Sequence, residues 1–556
     1  MISRDFSPGD LLHSTRSRWM GVVVCFVVSL VSLSCRQPAV QTELNYPQPR
    51  YPRYLTNPSA EQLLKAARYA VRQTAGGAPM GRMQSGQTAY VFVHAGLDMK
   101  VWEAIKQAWA ERGVEARLML PWEVMGISKE EFDRRMTDTP KGNEGWKELG
   151  FFRGEYLKYF PEEVRKEFGT DVFSDADYRR QDIPRYLDAH PEIQFYFAGE
   201  GGGAGWILPY DKEISAKHGD KFVGNYIFYR VGDLTSKAAE YPTDVWNLVE
   251  EKILRPRTFV SEVTFQDPEG TNLHWLLTPE ESLWWTRRGN VGGGGDEASN
   301  HISIYPSPLH STLQEGAVMV AHANHTGVFP TMKAYLDRYG QIERIEGGGK
   351  LGEMFKILLN HPLFKEAKFP KAPEPGYWFM RQDGYATNPK FVRYLPSLIE
   401  GGYYLPNVNE RNRAGVQHLA FSYGGDDPED EAYAEERGIP VGGAHTAHMH
   451  VYFPTVKWKL RDTGEWITIG EKGYVKAFDD PEVRALASRY GDPELIFRYE
   501  WIPSIPGINV AGDYAKDFAP DPWGWMMAEW KKVQDGTYQY FVDDYNLVGQ
   551  QQVAQQ

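Results

Sequence analysis

The feature that most constrains the fold is a strand–helix–strand pattern near the start of the folded body. The segment TAYVFVHAG (88–96) indicates a buried strand, and DMKVWEAIKQAWAERG (98–113) has the spacing of an amphipathic helix that ends at a glycine. The segment VEARLMLPW (114–122) indicates the next strand. Strands joined by a helical crossover pair in parallel. The sequence therefore predicts an α/β fold with a parallel sheet in this half.

From Thr258 onward the pattern changes to strands separated by turns, as in FVSEVTFQDPEGTNLHWLL (259–277) and VYFPTVKWKLRDTGEWITIGEKG (451–473). These segments predict a second, β-rich half. The predicted organisation is a signal peptide at 1–35, a Pro- and Gln-rich tether at 36–58, an α/β domain with a helical insertion at 59–256, a β-rich metal-binding domain at 257–475, and a C-terminal extension at 476–556 with one helix in PEVRALASRYG.

The N-terminus predicts export. Arg16 and Arg18 precede an apolar run that is shorter than the roughly 20 residues of a membrane span and ends at Cys35. The ending VSLSC resembles a bacterial lipoprotein box with Cys35 as the acylated residue, and it departs from that pattern at Ser32. A plain signal peptide and an uncleaved anchor are the alternatives. We expect a bacterial membrane-anchored lipoprotein, held by a lipid on Cys35, or a periplasmic protein.

Charge and cysteine content exclude several functions. The net charge of -13 argues against non-specific binding of nucleic acid. The two cysteines, Cys25 and Cys35, both precede the folded body. Disulfides, thiolate zinc sites and cysteine nucleophiles are therefore excluded from that body, and any metal ion there must be held by His, Asp, Glu or Tyr.

The stretch from Gly415 to His450 contains four of the chain's 14 histidines, at positions 418, 445, 448 and 450. His448 and His450 are two residues apart in a β-like run, so their imidazoles share one face of a strand. Imidazole is the commonest neutral metal ligand. With His418 upstream on a neighbouring strand, the pattern predicts a metal site. The alternative is that these are polar strand residues with ordinary hydrogen bonds.

Four segments, in order, resemble the thermophilic metallo-aminopeptidase family (aminopeptidase T type, leucyl aminopeptidase-like). TFQDPEGTNLHW (264–275) is similar to the family's DPEGTDL segment, and NHISIYPSP (300–308) to GEVFTSP. RAGVQHLAFSYGG (413–425) and VGGAHTAHMHVYF (441–453) are similar to GTxHIALG and GGxNxSxxHWDL. The resemblance covers roughly residues 85–475. It implies an aminopeptidase T-like fold with two metal ions between the α/β half and the β-rich half, and a homodimer.

The resemblance also implies a ligand set. His418 matches the family's ligand histidine, and His448 matches the histidine of its HWD segment. His450 falls on the aspartate of that segment, and His301 falls on the glutamate of GEVFTSP. Glu400 is the best match to a second ligand glutamate. Two family carboxylates are thus replaced by imidazoles, and a His-rich set better suits a single ion, such as Zn, Co or Fe.

The family's ligand tyrosine has no match at the same spacing, because Tyr423 stands two residues early. We first expect a metal-dependent hydrolase resembling an aminopeptidase, acting on a peptide or small molecule outside the cytoplasm. Glu400 or Glu410 would be its general base, and His301 a further ligand or a transition-state donor.

The first alternative is a mononuclear non-haem Fe(II) oxygenase that cleaves an aromatic or heterocyclic ring, since the 2,5-dihydroxypyridine dioxygenases share this fold. His301, His322 or His325 would then be acid–base groups. The second alternative is a non-catalytic surface lipoprotein that binds metal.

Overall fold

A computed structural model describes residues 45–74, 78–93, 96–137, 145, 156–168, 178–199, 212–287, 301–304, 312–324, 327–393, 395–396, 413–423, 427–440 and 447–547. All of these lie in one compact unit, 44–556. The domain boundaries expected at 256/257 and 475/476 remain predictions.

The helices are α1 (Ala60–Ala70), α2 (Met99–Glu111), α3 (Pro121–Met125), α4 (Lys129–Thr137), α5 (Glu162–Arg165), α6 (Ile183–Ala189), α7 (Lys212–His218), α8 (Val231–Thr235), α9 (Thr243–Leu254), α10 (Pro279–Arg287), α11 (Gly349–Asn360), α12 (Pro362–Lys365), α13 (Pro428–Arg437), α14 (Pro481–Ala487), α15 (Pro493–Ile496) and α16 (Pro522–Gln534). The strands are β1 (Tyr51–Pro52), β2 (Thr88–Phe92), β3 (Glu115–Met119), β4 (Tyr196–Gly199), β5 (Phe222–Tyr226), β6 (Val260–Gln266), β7 (Asn272–Leu276), β8 (His301–Ile302), β9 (Thr312–Leu313), β10 (Val318–Ala323), β11 (Val328–Leu336), β12 (Ile342–Gly347), β13 (Met380–Ala386), β14 (Gln417–Phe421), β15 (Ala447–Val451), β16 (Thr455–Leu460), β17 (Trp466–Glu471), β18 (Tyr474–Val475) and β19 (Phe541–Val542).

The N-terminal sheet is parallel, as the strand–helix–strand pattern predicts. Its order is β3-β2-β4-β5 within the described ranges. Helix α2 begins where the Asp98 side chain accepts a hydrogen bond from the Lys100 N–H. The chain turns into β3 at Gly113, which has a φ of +73°, and a Cβ there would approach the Ser85 hydroxyl to 2.4 Å. Glycine is therefore required at this turn.

The β-rich half contains a large antiparallel sheet. Among the described strands its order is β12-β11-β10-β7-β6-β16-β17-β18, with β9 paired to β7. On β6 the alternation buries Val263 and Phe265 and leaves the residues between them partly exposed, which is the period of a strand with one face in a core. The predicted combination of a parallel N-terminal sheet and a large antiparallel sheet is confirmed.

A smaller antiparallel sheet has the order β15-β14-β13-β8 in the part of the chain that the structure describes. Its strand β15 lies against β10 of the large sheet. Every residue of β14 and β15 is buried. The two sheets therefore enclose the segment in which the histidines occur.

The segment 45–58, expected to be part of a flexible tether, packs on the body instead. Tyr51 pairs with Phe541 in the parallel β1–β19 ladder, and Leu55 is fully buried. The aromatic and apolar residues of this segment pack partly on the body, where Tyr46 meets Phe453, and partly on the C-terminal extension, which returns to meet Tyr51. That partnership spans almost the whole chain and leaves no local sequence signal.

The C-terminal extension contains more helix than the sequence predicts. The expected helix in PEVRALASRYG is α14, but the longer α16 also forms there. It begins at Pro522, with the Asp521 side chain accepting from the Gly524 N–H. Glycine and several tryptophans in its first turns conceal the helical pattern. Within the described residues, no helix is both long enough and apolar enough to cross a bilayer.

Candidate metal centre

Three histidines of the sequence motif meet on neighbouring strands. His418 of β14 lies directly opposite His450 of β15, and Ala420 lies opposite His448. Residues directly opposite one another in an antiparallel ladder share a face, and so do residues two apart on one strand. His418, His448 and His450 therefore occupy one face of this sheet. All three are buried, and His448, the most exposed, is 5% accessible.

Small residues surround His418 on the same face. Gly384 of β13 lies opposite His418, and Ala420 lies two residues along β14. Ala386 lies two residues beyond Gly384. Because none of these residues extends past a methyl group, the face has room for the imidazole rings. A row of larger apolar side chains, which is usual in a buried strand, would fill that space.

Imidazole rings that share one ion must lie at a defined spacing from each other. The centroid of the His418 ring lies 5.3 Å from that of His448 and 6.3 Å from that of His450. Two imidazoles bound to one ion through bonds of about 2.1 Å have centroids roughly 5 Å apart. The first pair meets this spacing, and the second exceeds it by roughly 1 Å. By donor type, three imidazoles on one buried face suit a single ion, but one of the two measured ring spacings is too wide for it.

No preformed cluster is present in the part of the chain described. There, no three His, Cys, Asp or Glu side chains are grouped so that they could hold a metal ion. The 6.3 Å separation of His418 and His450 agrees with this, because the two rings would have to approach each other to bind the same ion.

The other expected site residues are placed as follows. His301 lies on β8, and its backbone pairs with Ala386 of β13. Strand β8 is therefore two strands away from β14, which carries His418. Two strand spacings amount to about 10 Å. Tyr423 donates its hydroxyl hydrogen bond to Asp430 at 3.0 Å, so the phenol has a structural partner on α13. Outside the described residues lie Glu400, Glu410, His445 and His325.

A second buried polar group, which the sequence does not predict, lies where β10 meets β15. His322 of β10 is 2% exposed, and its Nδ1 lies 2.8 Å from the Glu269 carboxylate. The same carboxylate oxygen accepts from the Tyr514 hydroxyl at 2.6 Å. The His322 ring stacks on Tyr452, two residues after His450, with centroids 5.2 Å apart. Residues 269 and 322 are 53 positions apart, so no local pattern reveals the pair.

The carboxylates beside this group repel one another. Burial, together with the nearby charge of Glu269, raises the pKa of Asp267 to about 8, against three backbone N–H bonds that favour the ionised form. Those N–H groups belong to the tight turn 267–271, and they converge on one Asp267 oxygen at 2.9 Å. Within the DPEGT segment, Asp267 thus shapes the turn while Glu269 faces His322.

A cavity of about 70 Å³ lies beside His322. That space admits roughly five water molecules and no peptide. Its walls combine His322 and Arg393 with aromatic rings of the C-terminal extension, among them Trp501, Phe518 and Trp525. Arg393 also donates to the Tyr452 hydroxyl, and burial lowers the pKa of its guanidinium. The extension therefore closes the space next to the end of β15.

Comparison with known proteins gives only distant likenesses. A scan against protein-family models and a search of curated proteins each returned no match. The 2,5-dihydroxypyridine dioxygenase from Pseudomonas putida KT2440 is similar with a TM-score of 0.35 and 10% identity, over 75% of this chain and 98% of that one. Wild-type AmpT from Thermus thermophilus is similar with a TM-score of 0.33 and 13% identity, over 74% and 98%. Likenesses this distant identify neither a family nor an activity.

Proposed function

We propose that this chain is a metal-dependent hydrolase with one divalent ion held by His418, His448 and His450. The observation that carries the proposal is the placement of three buried imidazoles on one sheet face beside Gly384 and Ala420. Imidazole is the commonest neutral metal ligand, and an ion shared by the three rings would take one nitrogen from each of them.

The donor set favours hydrolysis. Three histidines with an open position are a known ligand set of catalytic zinc. Bound there, a zinc ion would lower the pKa of a water molecule to about 7. The three imidazoles would bind in their neutral form, and their burial would exclude bulk water from the face they share. Glu400 or Glu410 would serve as general base, and His301 as a further ligand or transition-state donor.

We further propose a peptide or a small amide as substrate, with release of an N-terminal residue as the first activity to assay. The 70 Å³ cavity beside His322 is too small for such a substrate.

A mononuclear Fe(II) oxygenase is the second candidate. The observation that favours it is that the described strand residues on this face supply imidazole and no carboxylate to bridge two ions. A single-ion site can use iron as well as zinc. The substrate would be an aromatic or heterocyclic ring. If the protein binds metal but turns over neither class of substrate, the result would support the third candidate, a non-catalytic metal-binding surface protein.

The test combines metal content with two activity assays. Protein loaded separately with zinc, cobalt and iron is assayed for amino-acid release from peptides and for oxygen uptake with aromatic substrates. If the chain is a hydrolase, we expect wild type to release amino acids. We expect this release to fall at least 100-fold in His448→Ala, because an essential metal ligand is lost. The control is His274→Ala. In wild type this imidazole bonds to Glu262 within the large sheet, so the variant is expected to keep wild-type activity. Absence of peptide cleavage with every metal would refute the hydrolase.

We also propose that the mature chain is exported and anchored by a lipid on Cys35. The sequence pattern before Cys35 supports this. A Cys35→Ser variant is expected to leave the membrane fraction for the soluble one, and mass spectrometry of the wild-type N-terminal peptide is expected to show acylation. An unmodified Cys35 in the mature protein would contradict the anchor.

A further inference from the structure

The N-terminal parallel sheet ends at β3. The Glu115 N–H donates to the Gln87 carbonyl at 3.0 Å, and the Val93 N–H donates to the Met119 carbonyl at 3.3 Å. Odd-numbered residues of β3 therefore bond to β2. Ala116 and Leu118 direct their N–H and C=O groups to the opposite side, because successive residues of a strand direct these groups to alternate edges. No described strand pairs with that side.

A groove runs along this edge. It has a volume of about 810 Å³, and all residues of β3 line it. Trp102 and Lys106 of α2 form one wall, and Tyr186 and His190, on and just after α6, form the other. Met99, at the start of α2, is 50% exposed in the groove. A recessed edge strand with a wall on either side has the shape that accepts one further strand.

The charges on β3 are complementary to those of the same strand running in the opposite direction. The side chains of Glu115 and Arg117 are 56% and 55% exposed, and they form an ion pair at 2.8 Å. They lie on one face of the sheet, opposite Thr88 and Tyr90 of β2. A two-fold axis through Ala116 places Glu115 of each copy opposite Arg117 of the other.

That register also satisfies the backbone. Ala116 faces the free edge, so Ala116 of the two copies would exchange both N–H···O bonds as a hydrogen-bonded pair. Glu115 and Arg117 would then form the non-hydrogen-bonded pairs, in which side chains are closest. Moving the axis by one residue to Arg117 would place two arginines opposite each other, and moving it to Glu115 would do the same to two glutamates. An axis through Leu118 would avoid like charges but would place Arg117 opposite Met119, so the register centred on Ala116 is the one that pairs opposite charges.

We propose that β3 pairs antiparallel with β3 of a second copy of this chain. The two N-terminal sheets become one continuous sheet across the two-fold axis, and the groove is filled by the partner's strand. The contact is isologous, as expected for a symmetric dimer. It is independent of the histidine face and does not rest on the proposed hydrolase.

Charge reversal and charge exchange test the proposal directly. The mass of the full chain is measured by sedimentation velocity over a concentration series for wild type, Glu115→Arg, Arg117→Glu and the double variant carrying both changes. Each single variant turns two attractive cross-strand pairs into repulsive ones, and we expect the dimer to weaken roughly 10- to 30-fold. The double variant restores opposite charges in both pairs, and we expect its affinity to return to within about threefold of wild type.

Three results would overturn the proposal. One is a wild-type chain that stays monomeric throughout the series. Another is a dimer that neither single variant weakens. The third is a double variant that is as weak as the singles, because only direct pairing between the two residues predicts recovery. Since both side chains are exposed, circular dichroism of each variant is expected to match wild type, which separates loss of pairing from loss of fold.

Discussion

Replacing Glu500 by glutamine removes the counter-charge of a fully buried lysine. Lys390 and Glu500 are both inaccessible to solvent, and their charged atoms lie 3.4 Å apart. The Lys390 ammonium also donates to the carbonyls of Leu495 and Arg498 at 2.6 and 2.7 Å. Burial lowers the pKa of Lys390 to about 7, and the charge of Glu500 opposes that shift. Removing the carboxylate charge therefore lowers the pKa of Lys390 further, so that at pH 6 the buried lysine must either stay charged without its counter-charge or release its proton.

The expected magnitude follows from the burial of both groups. Breaking a fully buried ion pair by removing one partner costs about 3–5 kcal/mol where the remaining charge cannot be released. Here the amine can release its proton, so with a wild-type pKa of about 7 the loss that comes from the lysine charge at pH 6 is limited to about 1–2 kcal/mol, in addition to about 1 kcal/mol for the altered hydrogen bonds. The control is Glu429→Gln, which removes an ion pair with Lys371 whose side chains are 66% and 47% exposed. Exposed pairs contribute about 0–1 kcal/mol. At pH 6 the free energy of unfolding is therefore expected to fall several times further in Glu500→Gln than in the control.

The pH dependence of this effect has a defined sign. A free lysine has a pKa of about 10.4, so between pH 7 and that value the unfolded chain holds a proton on Lys390 that the folded chain has released. In wild type, Lys390 therefore contributes an increase in stability with pH across this window. In Glu500→Gln the neutral amine no longer needs a counter-charge, and the destabilisation is expected to shrink to about 1 kcal/mol by pH 9, the value of the remaining hydrogen bonds.

The assay is urea unfolding followed by tryptophan fluorescence at pH 6 and pH 9 for wild type and both variants. The reasoning would be refuted if Glu500→Gln lost no more stability than Glu429→Gln at pH 6. It would also be refuted if the loss at pH 9 equalled the loss at pH 6, because the effect would then not come from the lysine charge.

Three further predictions concern the surroundings of the histidine face. Ala420→Leu inserts a larger side chain next to His418 and is expected to cost about 1–3 kcal/mol and to reduce metal retention, measured by urea unfolding and metal analysis. Asp267 has a folded pKa of about 8, above its unfolded value of about 3.9, so its contribution to stability is present below pH 4 and is lost as pH rises to 8. Asp267→Asn is expected to flatten that part of the stability profile, and an unchanged slope would contradict the assignment. Tyr514→Phe removes a hydroxyl that contacts Glu269 and Thr331, and is expected to cost about 1–2 kcal/mol. Tyr335→Phe, which loses a surface bond to Glu346, is expected to cost less than about 0.5 kcal/mol, and equal losses in the two variants would argue against a buried network.

Periodicity was sufficient to predict the elements whose packing partners are near in sequence. Strand β2, helix α2 and strand β3 follow directly from the alternation and the glycine after the helix, and the parallel pairing follows from the crossover. The same reasoning places His448 and His450 on one strand face. Here the local pattern and the tertiary structure agree, because the buried face of each element is set by its own spacing.

Long-range partnerships could not be predicted in this way. Tyr51 pairs with Phe541, and Glu269 pairs with His322. In both pairs, no local sequence feature of one residue indicates its partner. Lys390 has no local feature that marks it as buried, since its partners come from residues 495–545. Helix α16 does not follow from periodicity, because glycine and tryptophan interrupt its pattern and packing against the body stabilises it instead. The ligand roles of His301, Glu400 and Glu410 remain predictions.

Metal content measured by mass spectrometry tests the central claim most directly. Purified protein is loaded with zinc, cobalt or iron, dialysed and analysed for wild type, His418→Ala, His448→Ala, His450→Ala and the control His274→Ala. A single-ion site predicts about one ion per chain in wild type and in the control, with affinity at least tenfold lower in each of the other three variants. A wild-type chain that retains no ion, or site variants that retain as much as the control, would contradict a metal centre at these histidines.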